Sequence, residues 1–388
     1  MFWSERYYSC VTSFLVTAIL LIVASSSMFA FPVYRGFAKY TLMLVCILVI
    51  FQQRKEGCFL DNRRPYLWPW ILGLMGSLIM IMIHGLSGYS MYLESILLAV
   101  LITLSIRQRI NKDHFLLMLA MFNIIQSSII LAAISFNGLS TFILGVNKNI
   151  LIISLTLTTS VILAEFVFGE SHSKKYRVCY LSALIMAMLA IVLSEVRTAI
   201  LGLLAIFPMI FFKQRQTKNI TLLTFGCLLV AVVFAFYESG RIHQGLMDLQ
   251  RYQDGNSNSS WGIRLELYSL SLRAFFEQPL WGWGAGSVQE VIRSGIAFGV
   301  PTFNAHHYHS DFFTLLASAG LLGMLFWWGV LIYLFKLSRN NYLGIALLLA
   351  SLAMGLTDRV WFDNKPGLLA LACLLTTLLF VYKQDDNR

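Results

Sequence analysis

The sequence predicts an all-α polytopic integral membrane protein, and three observations carry that expectation. Hydrophobic residues make up 58% of the chain and charged residues 12%, with a mean hydropathy of +0.71, whereas soluble domains hold about 45–50% apolar and about 25% charged residues. The apolar residues run unbroken for roughly twenty positions at a time, the length a helix needs to cross the hydrocarbon core. Transmembrane strands would instead alternate over segments of about ten residues. The basic residues gather in short clusters between the apolar runs, as they do in cytoplasmic loops of membrane proteins.

About twelve runs read as spans: 11–30, 37–52, 66–84, 90–106, 115–135, 149–168, 178–194, 198–212, 219–238, 312–335, 341–356 and 367–382. The run at 11–30 follows Arg6 and lacks a small-x-small cleavage site, so it reads as an uncleaved first helix. Only a tight turn, within "SEVRTA" (194–199), separates the seventh run from the eighth, and the eleventh is short. Residues 1–238 are expected to hold the first nine transmembrane helices, 239–311 a long periplasmic loop with an amphipathic helix, and 312–388 the last three helices.

The loop is near the lower size limit for an independent core. Its middle, "QDGNSNSSWG", is turn-forming. The next part places Ile263, Leu265, Leu267, Leu270, Leu272, Phe275 and Phe276 at helical spacing, which suits a helix lying on the membrane surface. "WGWGAGS" then supplies Gly282, Gly284 and Gly286 for a tight backbone path.

The net charge of +10 does not point to nucleic acid, because it is dispersed among loops instead of forming one basic surface. Most of the 29 Lys and Arg, including Arg54, Lys55, Arg63, Arg64, Arg107, Arg109, Lys174, Lys175 and Arg177, fall in loops on one side if the N-terminus is inside. Both termini are then cytoplasmic. The turn at 194–199, the loop 239–310 and the segment "TDRVWFDNKPG" all face the outer side, which in a bacterium is the periplasm. The six cysteines form no CxxC, so neither a disulfide framework nor a cysteine zinc site is expected.

Candidate chemistry gathers on that outer side. Arg197 sits at the outer end of a span, Arg264 at the start of the loop helix, and "NAHHYHSDFF" brings His306, His307 and His309 to the mouth of the tenth span. An arginine at a helix end in a membrane protein is costly unless paired or solvated. Arg197 could pair with Glu195 or snorkel to headgroups; Arg264 could pair with Glu266 or Asp254, or bind lipid phosphate. His306 and His309 could share a helix face and a metal, but zinc wants a third protein ligand, for which Asp311 is the near choice. The alternatives are a polar cluster without chemistry, or one proton-accepting histidine. Two guanidiniums form a bidentate clamp for a diphosphate. Their field keeps a nearby imidazole neutral and able to accept a proton, and a charge-neutralised diphosphate leaves without an acid.

Three stretches carry a family resemblance. "SEVRTAILGLLAIF", "RYQDGNSNSSWGIRLELYSLSLRAFFEQPLWGWGAGS" and "HYHSDFFTLLASAGLLG" resemble the arginine turn, the long loop with its Gly-x-Arg and Pro-x-x-Gly-x-Gly patterns, and the histidine-led lead-in to a span found in O-antigen ligases. These belong to the larger ligase–polymerase superfamily of membrane glycosyltransferases. The resemblance implies a GT-C-like fold and selects His309, by its offset from "GLLG", as the base that deprotonates the acceptor hydroxyl. It implies that Arg197 and Arg264 bind the diphosphate of an undecaprenyl-linked O-antigen donor, that the lipid A–core oligosaccharide is the acceptor, and that the reaction is inverting with no metal or other cofactor. His307 is a possible second functional histidine, and Asp311 a possible support for the imidazole. Ser310 stands where the family commonly has Asn. Membrane lipids are the remaining expected partners, and the bacterial inner membrane the expected location. O-antigen polymerase is the nearest rival, since Arg273 and Gly284 match a spacing some polymerases show; a non-catalytic transporter is the other, and it would need polar or broken midplane segments and a pseudo-repeat.

Overall fold

The computed structural model describes residues 64–85, 90–105, 112–137, 142–143, 146–169, 174–209, 240–294 and 307–361, with scattered positions in 43–51 and 375–379. In chain order these form α1 (Arg64–His84), α2 (Ser90–Ser105), α3 (Lys112–Asn137), a minimal antiparallel ladder of β1 (Phe142–Ile143) and β2 (Val146–Asn147), α4 (Lys148–Phe168), α5 (Lys174–Ser194), α6 (Arg197–Leu204), α7 (Arg241–Gln253), α8 (Ser260–Glu277), α9 (Val288–Arg293), α10 (Asp311–Ser338) and α11 (Tyr342–Gly355). Among the described residues the architecture is helical apart from that ladder. Among the described residues, five helices, 65–84, 112–136, 148–168, 176–194 and 311–338, are long and apolar enough to cross a membrane. The expected spans at 11–30, 219–238 and 367–382, and most of 37–52, lie outside the described residues. The expected span at 198–212 corresponds to a shorter apolar helix, Arg197–Met209, interrupted by a turn at 205–206.

Helix α4 is the centre of the bundle. Of its apolar window 78% is buried, against 22% for α1, and α3, α5, α6 and α11 all pack against it. Its sequence "SLTLTTS" places a row of hydroxyls in the interior. Most of these bond back to carbonyls of their own helix, as Thr156 Oγ1 does to Ile152 (2.7 Å) and Thr159 Oγ1 to Leu155 (2.6 Å). Asn123 of α3 donates to Thr159 Oγ1 (3.1 Å) and accepts from Thr158 Oγ1 (3.0 Å). Without water, such a bridge between helices contributes roughly 0.6–2 kcal/mol. These polar atoms of a span interior are spent on helix–helix contact.

One end of α4 is tied by a buried charged group. Glu165 is fully buried; Lys112 Nζ lies 3.2 Å from its Oε1. The Tyr342 hydroxyl donates to Glu165 Oε2 (2.8 Å) and accepts from Lys112 Nζ (2.7 Å). Three helices, α3, α4 and α11, are joined at this point.

The loop after α8 is tied into a break in α10. Gly320 is non-helical (φ 59°, ψ −157°), so the carbonyls before it and the N–H groups after it lose their partners within the helix. Residues 279–284 supply them. Trp283 and Gly284 N–H donate to the Ala317 and Ser318 carbonyls (2.8 and 2.9 Å), while Leu321 and Leu322 N–H donate to the Pro279 and Leu280 carbonyls (2.8 and 3.1 Å). Backbone approaches this closely only without side chains. A Cβ at Gly320 would lie 2.6 Å from the Pro279 oxygen, and one at Gly282 (φ 68°) would lie 2.5 Å from the Ser318 carbonyl carbon. His84 at the end of α1 also donates from Nε2 to the Trp281 carbonyl (2.9 Å).

Helix α8 forms where apolar periodicity predicts it, but its inner stripe faces protein. Leu267, Leu270 and Ala274 are buried with Tyr308, Ala317, Val288 and Val291, and Ser271 Oγ donates to the Phe313 carbonyl (2.7 Å). Leu272 and Phe276 remain exposed on the other side. Apolar periodicity alone cannot tell a protein neighbour from lipid.

Replacing Glu165 by Ala leaves Lys112 without its buried counter-charge and is expected to destabilise the detergent-solubilised protein by about 3–5 kcal/mol; a combined Lys112→Met/Glu165→Leu variant is expected to recover most of that loss in the same unfolding measurement. Gly320→Ala is expected to lower the thermal midpoint by several degrees, because Cβ and the stitched loop compete for the same space.

Candidate functional site

The end of α4 opposite the Lys112–Glu165–Tyr342 tie, roughly 24 Å away at the helical rise per residue, borders a cavity of about 570 Å³. Arg197 and Arg264 both line it, together with Glu195, Thr198, Gln244, Asp248 and Thr357. Two arginines that are far apart in the chain therefore open onto one space.

A tight turn delivers Arg197 there. Glu195 holds a left-handed φ of 57°, and Val196 is extended at the N-cap (φ −83°, ψ 100°). Ser194 Oγ donates to the Ile191 carbonyl (2.7 Å) and accepts from the Val196 N–H (3.4 Å). Arg197 is then the first residue of α6. A cation at the positive end of a helix is unfavourable by itself, and the combination of the two is an environment for an anion.

Arg264 lies one turn into α8. Ser259 caps that helix by accepting from the Gly262 N–H (3.0 Å). Gly262 is needed because a Cβ there would lie 2.6 Å from the Ser257 carbonyl oxygen; this accounts for the Gly-x-Arg spacing. Arg264 Nη1 donates to Ser260 Oγ (3.2 Å), while its Nε is buried with no hydrogen-bond partner.

His309 sits just before α10 and also has a left-handed φ, 53°. It is not among the residues that line the cavity, but it lies within the field of Arg264. Its pKa is lowered to about 4, first by burial, then by the charges of Arg264 and Arg359. The ring is therefore neutral at neutral pH. Its Nδ1 lies 3.2 Å from His307 Nε2, and its carbonyl accepts from the Tyr268 hydroxyl (3.2 Å). Tyr268 stacks on Phe313 with ring centroids 4.2 Å apart, so α8 fixes the histidine backbone as well as carrying Arg264.

Asp311 has a different environment from the one expected of a support for the imidazole. Its carboxylate accepts from the backbone N–H groups of Val360 (3.1 and 3.0 Å) and Trp361 (2.9 Å). Ser310 Oγ donates to the Gly355 carbonyl (3.2 Å). Both residues thus hold the segment after α11 against the start of α10. His306 lies outside the described residues. No group of three or more His, Cys, Asp or Glu side chains suited to a metal ion occurs among the described residues.

The structure adds two groups that sequence reasoning passed over. Asp358 Oδ1 accepts from the Arg359 N–H (2.9 Å), and its Oδ2 is buried with no partner. Burial pushes the Asp358 carboxyl up, against the opposing pull of the Arg359 N–H and the charges of Arg264 and Arg359. Arg359 adds its charge to that of Arg264 at His309. Among the described residues, the charged side chains with a buried, unpartnered atom are Arg264 and Asp358, and their charges act on each other. The signal in the sequence was the pair of opposite charges in "TDRVWF", at the edge of an apolar run.

Comparisons with known proteins match this region. Residues 181–328, which contain Arg197, Arg264 and His309, match a family model described as O-antigen ligase. The O-antigen ligase of Escherichia coli (strain K12) is 24% identical over 212 residues, an alignment that covers 51% of this chain and 50% of that protein. The chain thus spans about half the length of the curated relative it matches. Both comparisons support the resemblance to the O-antigen ligase superfamily that the sequence carries, and the family-model match spans both arginines and the histidine.

Proposed function

We propose that this protein is an O-antigen ligase of the bacterial inner membrane. It transfers a polysaccharide from undecaprenyl diphosphate to the lipid A–core oligosaccharide at a site facing the periplasm, with both termini cytoplasmic. The observation that carries this reading is that Arg197 and Arg264 line one cavity while the charge of Arg264 reaches a neutral His309. The two guanidiniums grip the diphosphate oxygens, and the unpartnered Nε of Arg264 gains an acceptor there. Their charge does the neutralising that makes the diphosphate a good leaving group.

In the reaction, a hydroxyl oxygen of the acceptor sugar attacks the anomeric carbon of the donor. The bond from that carbon to the diphosphate oxygen breaks on the opposite face, so the configuration inverts. The hydroxyl proton passes to His309, and the electron pair leaves with undecaprenyl diphosphate. For His309 to accept at Nε2, its Nδ1–H must donate to His307 Nε2, across the 3.2 Å contact. His307 in this arrangement selects the tautomer of the base and stabilises the imidazolium.

The free imidazole, at about 4, is a weak base. A bound diphosphate offsets the charge of Arg264, the second cause of the lowering after burial, and so moves the pKa upward, in the direction that favours a general base. The histidine thus becomes a competent base once the donor is in place.

The O-antigen polymerase reading uses the same donor site and differs in the acceptor. Offered separately to the purified protein, lipid A–core is expected to be glycosylated and a second lipid-linked chain is not; the reverse outcome makes this a polymerase. His309→Ala is expected to abolish transfer, and Arg264→Lys, which keeps the charge and loses the fork, to reduce it by more than tenfold at unchanged protein level. The acid limb of kcat/KM is expected near pH 4, since the free protein loses its base only as pH falls through the lowered pKa, and the limb of kcat is expected at higher pH. A kcat/KM limb at about 6.5, the ordinary histidine value, would contradict both the burial of the base and the arginine charges around it.

A further inference from the structure

The diphosphate accounts for only part of the cavity. Its volume, about 570 Å³, lies in the range of pockets that enclose whole small ligands, about 300–1,000 Å³. Beside the two arginines it is walled by Gln244, Asp248 and Arg251 of α7 and by Trp261 of α8, none of which the reaction above uses.

Helix α7 is built for this position. Residues 244, 248 and 251 are four and three apart, so they form one stripe of the helix. Leu246 and Leu249 occupy the opposite stripe and are exposed, at 62% and 42%. A helix that turns polar residues toward a cavity and apolar ones outward is a side wall standing between that cavity and lipid. Gly245 brings it close: a Cβ at that position would lie 3.6 Å from Trp261 Nε1 and 3.8 Å from Arg197 Nη1. The polar stripe of α7, the indole and the first guanidinium are thus immediate neighbours.

The charges divide the cavity. Asp248 on α7 repels a phosphate, which Arg197 and Arg264 attract. A carboxylate, an amide and a guanidinium beside an indole match the other chemistry that must enter with it. Hydroxyl groups donate to Asp248 and the Gln244 carbonyl and accept from Arg251. The apolar C–H face of a pyranose ring lies against Trp261, as apolar bodies with polar rims do on aromatic surfaces.

We infer that the α7 stripe Gln244–Asp248–Arg251 and Trp261 form a pyranose subsite, which binds the sugar attached directly to the diphosphate and selects donors by it. This deepens the proposed function and rests on it. The donor is favoured over the acceptor because the subsite shares its cavity with Arg197 and Arg264, whereas His309, which must meet the acceptor hydroxyl, does not line that cavity.

The test uses the purified full chain in detergent and two probes, undecaprenyl diphosphate and undecaprenyl diphosphate carrying one N-acetylhexosamine. Gln244→Ala and Trp261→Leu are expected to weaken binding of the sugar-bearing lipid at least tenfold and to leave binding of the bare diphosphate within twofold. Trp261→Phe, which keeps an aromatic face, is expected to retain most of the affinity, and this guards against a folding defect. Equal losses for both probes, or no loss for either, overturn the subsite. If the variants bind both donors normally and instead lose transfer to core acceptor at a fixed donor concentration, the sugar recognised is the acceptor's and the donor assignment falls. If the wild-type protein binds neither lipid, the diphosphate site itself fails and this inference goes with it.

Discussion

The positions of Arg264 and His309 follow from one backbone arrangement: the break at Gly320 in α10 and the strand of loop laid into it. Four hydrogen bonds between residues 279–284 and 317–322 replace those that the helix gives up. They fix the end of α8 to the middle of α10. The Leu267–Leu270–Ala274 stripe then packs on the first turns of α10, and the Tyr268 hydroxyl reaches the carbonyl of His309. Arg264, on the same helix, is carried to the histidine by the same docking. Within a hydrocarbon layer, irregular backbone is tolerated only where protein satisfies it, and this loop meets that requirement while building the site.

The two ends of α4 handle charge in opposite ways. At one end Lys112, Glu165 and Tyr342 saturate one another, and the group works as a tie between three helices. At the cavity end cations are in excess. Arg197 stands at the positive end of α6, Arg264 and Arg359 depress the histidine, and Arg264 Nε and Asp358 Oδ2 keep unsatisfied hydrogen-bonding capacity. Buried capacity of this kind is costly. Left-handed backbone at Glu195 and His309, each next to this region, adds strain of the sort that collects at functional sites. An anionic ligand relieves the first cost and uses the geometry that the second maintains.

Much of this was legible in the sequence because it follows from local rules. Apolar run length located α1 to α5, α10 and α11 to within a few residues. Arg197 and Arg264 stood out as charges at helix ends in an otherwise apolar chain, and Gly282, Gly284 and Gly286 marked a tight backbone path. What was not legible depends on long-range contact. Gly320 lies in a uniformly apolar run, where a lone glycine looks like a tolerated helix residue. The partners that give it meaning are some forty positions earlier. Arg359 acts on a histidine fifty residues away. The stripe on α8 was read as facing lipid and faces α10, since periodicity reports an apolar neighbour without saying which. Helix α7 went unread because its apolar stripe is short and ends in the turn-forming stretch after Gln253. Asp311 showed its proximity to His309 but not its engagement with the Val360 and Trp361 backbone.

The central claim is that Arg197, Arg264 and His309 serve one diphosphate. A structure of the protein with undecaprenyl diphosphate bound in a lipid disc tests it most directly. The account predicts phosphate oxygens within hydrogen-bonding distance of both guanidiniums, in the cavity bordered by α6, α7 and α8, with the oxygen that bears the sugar in the donor turned toward the His309 ring. A diphosphate held elsewhere, or touching one arginine while the other pairs only with protein, would contradict it.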